Sequence, residues 1–208
     1  MVKSRKGDLP TYNRSIDVLL LCTANQCRSP MAAALLQHHL APSVSDVRVT
    51  SAGLYPGGRP ATPHACAVMA ARGLDLTDHR SHRLDRTMLD GIDLVIAMTR
   101  EHVREVTVID RAALARTFTL RELARTAQGA GRRGIDESMG DWLARVGEGR
   151  QPEALVGIGY DDAYDIADPV GRGRADYEDT ADELDNLLGV VASLAWPAVA
   201  ATQQERRR

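Results

Sequence analysis

Four consecutive aliphatic residues, Val18-Leu19-Leu20-Leu21, leave a β-strand no polar face, so the run from Ile16 to Leu21 is expected to be a strand buried on both sides. Such strands belong to parallel sheets, whose crossover helices cover both faces. The rest of the chain repeats the theme. Val47 to Gly53 (VRVTSAG) alternates as a second strand and ends in a glycine turn, Asp93 to Met98 (DLVIAM) reads as a third, and Arg116 to Leu120 (RTFTL) as a short fourth. Ser29-Pro30 reads as the cap and first position of a helix reaching about Leu40. Thr62-Pro63 opens another that closes at Gly73, and a further helix is expected from about Arg100 to Val108. Tyr177, Ala181, Leu184, Leu188, Val191 and Leu194 recur at three- and four-residue spacing and predict a long amphipathic helix from about Arg174 to Leu194. Strands alternating with helices predict an α/β fold: a central twisted parallel four-stranded sheet with helices on both faces.

From Arg121 to about Tyr160 the pattern weakens. QGAGRRG and GEGRQP are loop compositions flanking a helix expected around Glu137 to Val146, and forty residues are few for an independent core, so the stretch at about 121–160 reads as an insertion. Trp142 within it is expected either to cap a small apolar cluster of the insertion or to act as a lid. Residues 1–13 are polar and, with 198–208, read as flexible ends, leaving 14–197 as one domain.

Composition excludes several classes. A net charge of −2 gives no general affinity for nucleic acid. No stretch approaches the ~20 apolar residues of a membrane span, so membrane insertion is not expected. Three cysteines, an odd number, do not make a secreted disulfide framework, and a cytoplasmic location is the expectation. The 24 arginines against two lysines supply many forks suited to carboxylate or phosphate.

The chemistry concentrates in CTANQCRSP, Cys22 to Pro30, between the first strand and the first helix. A loop leaving a parallel strand and entering a helix gathers backbone N–H groups around one point at the positive helix end, a nest for a tetrahedral oxyanion. Cys22 would sit at its base, where N–H groups and the Arg28 guanidinium favour the nucleophilic thiolate. Arg28 offers a fork for two phosphate oxygens, and Ser29 a hydroxyl for the sulfur. Thr23, Ala24, Asn25, Gln26, Cys27, Arg28 and Ser29 are the expected phosphate-binding residues. Without a Walker lysine the loop does not read as a nucleotide site.

The sequence at this point resembles the low-molecular-weight protein tyrosine phosphatases, in their bacterial form. Their signature, Cys-x-x-Asn-x-Cys-Arg-Ser-Pro after the first strand, stands here as Cys22, Asn25, Cys27, Arg28, Ser29 and Pro30. SAG (Ser51 to Gly53), RGLDLTDHRSHRL (Arg72 to Leu84), DLVIAMTREH (Asp93 to His102) and DPVG (Asp168 to Gly171) match in the same order. The resemblance implies a phosphatase that hydrolyses phosphotyrosine on proteins, with no metal or cofactor and a phosphorylated protein as partner; a monomer is expected. It implies that Cys22 forms a phosphocysteine, Arg28 binds phosphate and stabilises the transition state, and Asn25 holds the loop's strained backbone. Asp168 would be the general acid and then the base, and His79 would brace the loop through Asn25.

Three departures bear on the substrate. Ala24 replaces a usual glycine, which requires its φ to be negative. Val170 and Gly171 follow Asp168-Pro169 where tyrosine-specific relatives carry an aromatic, so the substrate wall is expected from Tyr55 and, less fully, Val170. Gln26 occupies a position often branched aliphatic in tyrosine-specific members and threonine in a phosphoarginine-specific branch. Protein arginine phosphatase is therefore the alternative reading. An arsenate reductase-like protein would need further resolving cysteines, and only Cys66, expected in the core, remains; a non-catalytic phosphate-binding protein is the fourth. Cys22 and Cys27 on one tight loop suggest a redox-sensitive pair. His79 and His82 lack a second cluster and do not read as metal ligands, and Asp161, Asp162 and Asp165 read as a solvated acidic turn.

Overall fold

The computed structural model describes residues 15–40, 46–151 and 161–197. The expected flexible ends and the close of the 121–160 stretch lie outside these residues.

Four parallel strands, β1 (Ile16–Cys22), β2 (Val47–Gly53), β3 (Leu94–Ala97) and β4 (Thr117–Thr119), form one sheet in the order β2-β1-β3-β4. The helices are α1 (Arg28–Leu40), α2 (Pro63–Ala70), α3 (Arg86–Leu89), α4 (Arg100–Ile109), α5 (Leu120–Ala130), α6 (Met139–Val146) and α7 (Arg174–Ala195), with a 3-10 helix at Arg111–Arg116. Because strand residues alternate faces, β1 contributes to two cores. Val18, Leu20 and Cys22 join α1, α2, α5, α6 and α7, while Leu19 and Leu21 face Leu89, Val106 and Ala113 of α3, α4 and the 3-10 helix. Helices therefore lie on both faces, as the apolar run requires.

Local chemistry sets the helix ends. The Thr62 hydroxyl accepts the Ala65 N–H, and Pro63 stands in the first turn of α2, where its missing N–H costs nothing. This helix stops at Ala70, short of Gly73, which takes a positive φ of 75° in the turn beyond. At α1 the start is earlier than expected. Met31 donates its N–H to the Cys27 carbonyl, so Cys27 holds the cap position and Ser29 and Pro30 lie inside the first turn. Ser29 is thereby free to turn its hydroxyl to the loop.

The 121–160 stretch contributes more to the fold than loop composition suggested. Thr119 and Glu122 form a reciprocal capping box that opens α5. Leu123, Ala127, Leu143 and Val146 join the main core beside α7. Trp142 is fully buried there and donates its Nε1–H to the Gly131 carbonyl, so it is neither a lid nor the cap of a separate cluster. Arg150, within the apparent loop GEGRQP, pairs with Glu122, bonds the Leu114 and Thr117 carbonyls, and lies 3.9 Å from the Phe118 ring centroid. Cys66 is half-buried at the edge of this core rather than inside it.

Candidate active site

The loop that leaves β1 is built so that its carbonyls are occupied from outside. Thr23 O accepts from Leu54 N and Tyr55 N, Gln26 O from Thr62 N, and Cys27 O from Met31 N, at 2.7, 3.2, 2.8 and 3.1 Å. Asn25 O accepts from His79 Nε2 at 2.6 Å. In a trans peptide the N–H points away from the carbonyl. With those four carbonyls engaged, the N–H groups of Ala24, Gln26, Cys27 and Arg28 point to the opposite side of their peptides. Such an arrangement of N–H groups suits an anion.

Asn25 holds the sharpest bend. It is the sole described non-glycine residue with a positive φ, 53°, so Ala24 meets the requirement for a negative one. Its buried carboxamide is fully engaged: Nδ2 donates to Ser29 Oγ at 2.9 Å and Ser51 Oγ at 2.8 Å, and Oδ1 accepts from His82 N at 2.8 Å. The His82 N–H is an obligate donor, which fixes which end of the amide is oxygen. His79 and His82 thus brace the loop, one through its ring and one through its backbone. Burial, ahead of the neighbouring His82 and Arg80 charges, holds His79 below the usual histidine range, suiting a neutral ring that donates to Asn25 O. Gly53 passes directly beneath: a Cβ there would meet Asn25 N at 2.7 Å and Thr23 O at 2.8 Å. The SAG segment is therefore a contact that admits no side chain.

At the centre, Cys22 Sγ lies 3.0 Å from Ser29 Oγ, which also reaches the Ala52 carbonyl at 3.2 Å. With its lone pair engaged by Asn25, the Ser29 hydroxyl has one proton to give. It donates to Ala52 O when Cys22 is a thiol, and can turn to the sulfur when Cys22 is a thiolate. Arg28 is buried; Nη1 donates to Ile166 O at 3.0 Å, and Nη2 to Thr23 Oγ1 at 3.3 Å and Asp168 Oδ2 at 2.5 Å. Asp168 comes from the segment before α7, and its Oδ1 accepts the Val170 N–H at 3.1 Å. The structure thus brings Cys22, Arg28, Ser29 and Asp168 together.

That segment is anchored by a residue whose expected role was different. Asp165 is buried rather than solvated: it accepts Arg100 N at 2.7 Å and Asp161 N at 2.9 Å, tying the segment to the start of α4. Ile166 N then donates to Met98 O at the end of β3. A buried carboxylate at a helix N-terminus is stabilised by the unpaired N–H groups there, which the run of aspartates alone does not reveal.

Ala24, Gln26, Tyr55, Pro56 and Arg59 line a cleft of about 140 Å³ beside the loop. Tyr55 is 59% exposed on its wall, and Gln26 donates from the lining to the Pro60 carbonyl at 3.3 Å. Val170, 54% exposed above the Asp168 turn, does not line this cleft. Cys27 is buried behind the loop against the Tyr177 hydroxyl; burial, then the neighbouring Cys22 and Asp168 charges, push its thiol well above the usual range. No group of three or more metal-ligating side chains occurs among the described residues, and no described helix is long and apolar enough to cross a membrane.

Two participants escaped sequence reasoning. His102, buried at the start of α4, reaches Thr23 Oγ1 with Nε2 at 3.0 Å, and Arg59 stands on the cleft wall. The Thr99-x-x-His102 spacing at a strand-to-helix junction was the available signal for the first.

Comparison with known proteins agrees with this geometry. The probable low molecular weight protein-tyrosine-phosphatase EpsP of Ralstonia solanacearum is 38% identical over 107 residues, 51% of this chain and 71% of that protein. The protein-arginine-phosphatase of Geobacillus stearothermophilus is 31% identical over 176 residues, 84% of this chain and 93% of that one. The crystal structure of the low molecular weight protein tyrosine phosphatase from T. tengcongensis superposes with a TM-score of 0.64 at 28% identity, covering 86% of this chain and 99% of that one. The sequence model of the low molecular weight phosphotyrosine protein phosphatases matches residues 17–137, more than half of the chain, and the chain belongs to that family of hydrolases.

Proposed function

We propose that the protein hydrolyses phosphotyrosine on protein substrates through a phosphocysteine at Cys22. The observation that carries this reading is the convergence of a buried thiol, a buried guanidinium and a half-exposed carboxylate at one anion nest, with Cys22 Sγ 3.0 Å from Ser29 and Arg28 2.5 Å from Asp168.

In this reading the inward N–H groups and the Arg28 fork hold the three non-bridging phosphate oxygens, leaving phosphorus over the sulfur. The Cys22 thiolate attacks phosphorus, the P–O bond to tyrosine breaks, and Asp168 delivers its proton to the leaving oxygen. Water then attacks the phosphocysteine and gives its proton to Asp168. Phosphate departs, and the returning thiolate takes a hydrogen bond from Ser29. An incoming dianion competes with Asp168 for Arg28, which frees the carboxyl to reach the leaving group. The shared core of the described residues supports one catalytic domain, and three free thiols fit a reducing cytoplasm.

The second reading, phosphoarginine, is favoured by the extent of similarity: the arginine phosphatase match spans 84% of this chain, against 51% for EpsP. The cleft favours tyrosine. Its lining includes Tyr55 and the cation of Arg59 and no carboxylate, an arrangement that suits a ring and sets a like charge against a guanidinium lying along it. The deciding experiment compares kcat/KM for phosphotyrosine, phosphoarginine and phosphoserine peptides, with Cys22→Ser as control. Phosphotyrosine is expected to lead and Cys22→Ser to bind phosphate without turnover. Faster phosphoarginine hydrolysis moves the assignment to the second reading, and full activity in Cys22→Ser removes both.

A further inference from the structure

We propose that His102 and Thr23 form a fixed donor–acceptor relay that sets the plane of the phosphate-binding Arg28, making both of them positioning residues for the reaction. The inference rests on the phosphatase reading above.

The relay follows from hydrogen-bond bookkeeping. His102 is 1% exposed, and its Nδ1 lies 3.0 Å from Thr99 N. A backbone N–H only donates, so Nδ1 carries the lone pair and a neutral ring must bear its proton on Nε2. That proton faces Thr23 Oγ1 at 3.0 Å. The same oxygen receives an N–H of Arg28 Nη2 at 3.3 Å. A hydroxyl oxygen has two lone pairs, and here both are taken by nitrogen donors on opposite elements, α4 and α1. Thr23 therefore cannot rotate its oxygen away without abandoning two donors, both on buried side chains.

The consequence concerns Arg28. Its guanidinium is held at Ile166 O through Nη1 and at Thr23 and Asp168 through Nη2. Phosphate, an anion like the Asp168 carboxylate, competes with it for the guanidinium. Ile166 O and Thr23 Oγ1 then remain as the two points that define the fork's plane. A single remaining point would let the guanidinium swing about it. Burial, followed by the Arg28 charge, depresses His102 to about 3, consistent with a ring that never competes for the Thr23 oxygen as a second cation.

The test separates positioning from packing. Asn at 102 retains an acceptor near the Nδ1 position but loses the Nε2 donor; Gln retains a donor near Nε2 but loses the cap. Wild-type hydrolysis of an aryl phosphate, abolished in Cys22→Ser, first establishes the phosphatase reading independently of the relay. Thr23→Val is expected to lower kcat/KM by roughly 10- to 100-fold, the scale of an ångström-level misplacement of a catalytic group, and to weaken competitive inhibition by inorganic phosphate. Thr23→Ser is expected to recover most of that loss. His102→Asn should reproduce the Thr23→Val defect with little change in Tm, His102→Gln should recover activity at a lowered Tm, and the double variant Thr23→Val/His102→Asn should be no worse than Thr23→Val alone. Wild-type kcat/KM in Thr23→Val, or fully additive losses in the double variant, overturns the relay while leaving the phosphatase reading intact. If His102→Asn does not fold, Thr23→Val against Thr23→Ser still decides.

Discussion

Arg28 and Asp168, 140 positions apart in the chain, meet at 2.5 Å beside the Cys22 loop. In the proposed mechanism, this one contact links the group that holds phosphate to the group that protonates the leaving oxygen. Removing the carboxylate should affect the two in opposite directions. Asp168→Asn is expected to lower kcat by ~10²–10⁴, the usual range for general acid–base catalysis, with the largest loss for poor leaving groups. Inorganic phosphate should bind more tightly, because Arg28 is no longer shared with an anion. Steady-state kinetics over a series of substituted phenyl phosphates checks both, and a loss independent of leaving group would falsify the acid assignment.

Asn25 combines two burdens, a left-handed backbone and three side-chain hydrogen bonds, and substitutions can separate them. Asn25→Gly relieves the backbone but leaves Ser29, Ser51 and the His82 N–H without their partner. Asn25→Ala does the same and adds the cost of an alanine at positive φ, about 1–2 kcal/mol. Both should destabilise, alanine more than glycine, and both should lower kcat/KM as the nest loosens. Denaturant unfolding of the three proteins measures the difference. Equal stability of the alanine and glycine forms would show that the loop re-bends without strain.

These two sites mark what the sequence discloses. Cys22, Arg28 and the Ser-Pro pair in the first turn of α1 are local: a buried strand, a tight turn and a helix lie within 25 residues, so their juxtaposition is written in order along the chain. The parallel sheet was legible for the same reason, since Val18 to Leu21 has no polar face to offer. What stayed hidden depends on closure between distant segments. Asp165 looks like any residue of an acidic turn until α4 brings its N-terminus beside it, and His102 is an ordinary third residue of a helix until Thr23 approaches. The glycines near α5 give the stretch a loop composition, whereas its helix start depends on just two residues, the Thr119–Glu122 capping box.

The proposed substrate wall is one-sided, with Tyr55 on the cleft and Val170 beyond its lining. An aromatic contact contributes ~0.5–1.5 kcal/mol beyond area burial. Tyr55→Ala should therefore raise KM for aryl phosphates several-fold with little change in kcat. Val170→Tyr should lower it by a similar factor if the new ring can fold over the cleft from the Asp168 turn. Measuring KM for phenyl phosphate in the two variants is sufficient. An unchanged KM in Tyr55→Ala removes Tyr55 from the wall.

Acid stability follows from His102. Its folded value of about 3 lies below the 6.5 of the free side chain, with burial the main cause and the Arg28 charge the second. Above pH ~6.5 the ring is neutral in both folded and unfolded chains and its contribution is complete. As pH falls from there toward 3, the unfolded chain binds a proton that the folded chain refuses, and stability declines by on the order of 4 kcal/mol. Tm should therefore drop through this window, and His102→Asn should flatten the decline while leaving Tm at pH 7.5 nearly unchanged. An identical acid profile in the variant would assign the loss to carboxylates instead.

The last prediction concerns oxidation, and the surroundings of Cys27 determine its pH dependence. Peroxide converts a Cys22 thiolate to the sulfenic acid with release of hydroxide; attack by a Cys27 thiolate then forms the disulfide and expels a second hydroxide. Cys27 is 3% exposed, and burial, then the Cys22 and Asp168 charges, hold it as a thiol, while the Arg28 charge and then the hydrogen-bonding Tyr177 hydroxyl work in the opposite direction. Closure must therefore wait for a scarce thiolate. Its rate should rise about tenfold per pH unit across the neutral range, since the thiolate fraction does so below the thiol's pKa. Slow closure at low pH leaves time for a second oxidation of Cys22 to the irreversible sulfinic acid. Tyr177→Phe removes one of the two neighbours that favour the Cys27 thiolate, the other being the Arg28 charge, and should shift the products further from disulfide toward sulfinic acid at every pH. Mass spectrometry after mild peroxide treatment at pH 6, 7 and 8, before and after thiol reduction, measures the ratio directly. A disulfide yield that does not change with pH, or that rises in Tyr177→Phe, would show that Cys27 does not limit the rescue of Cys22.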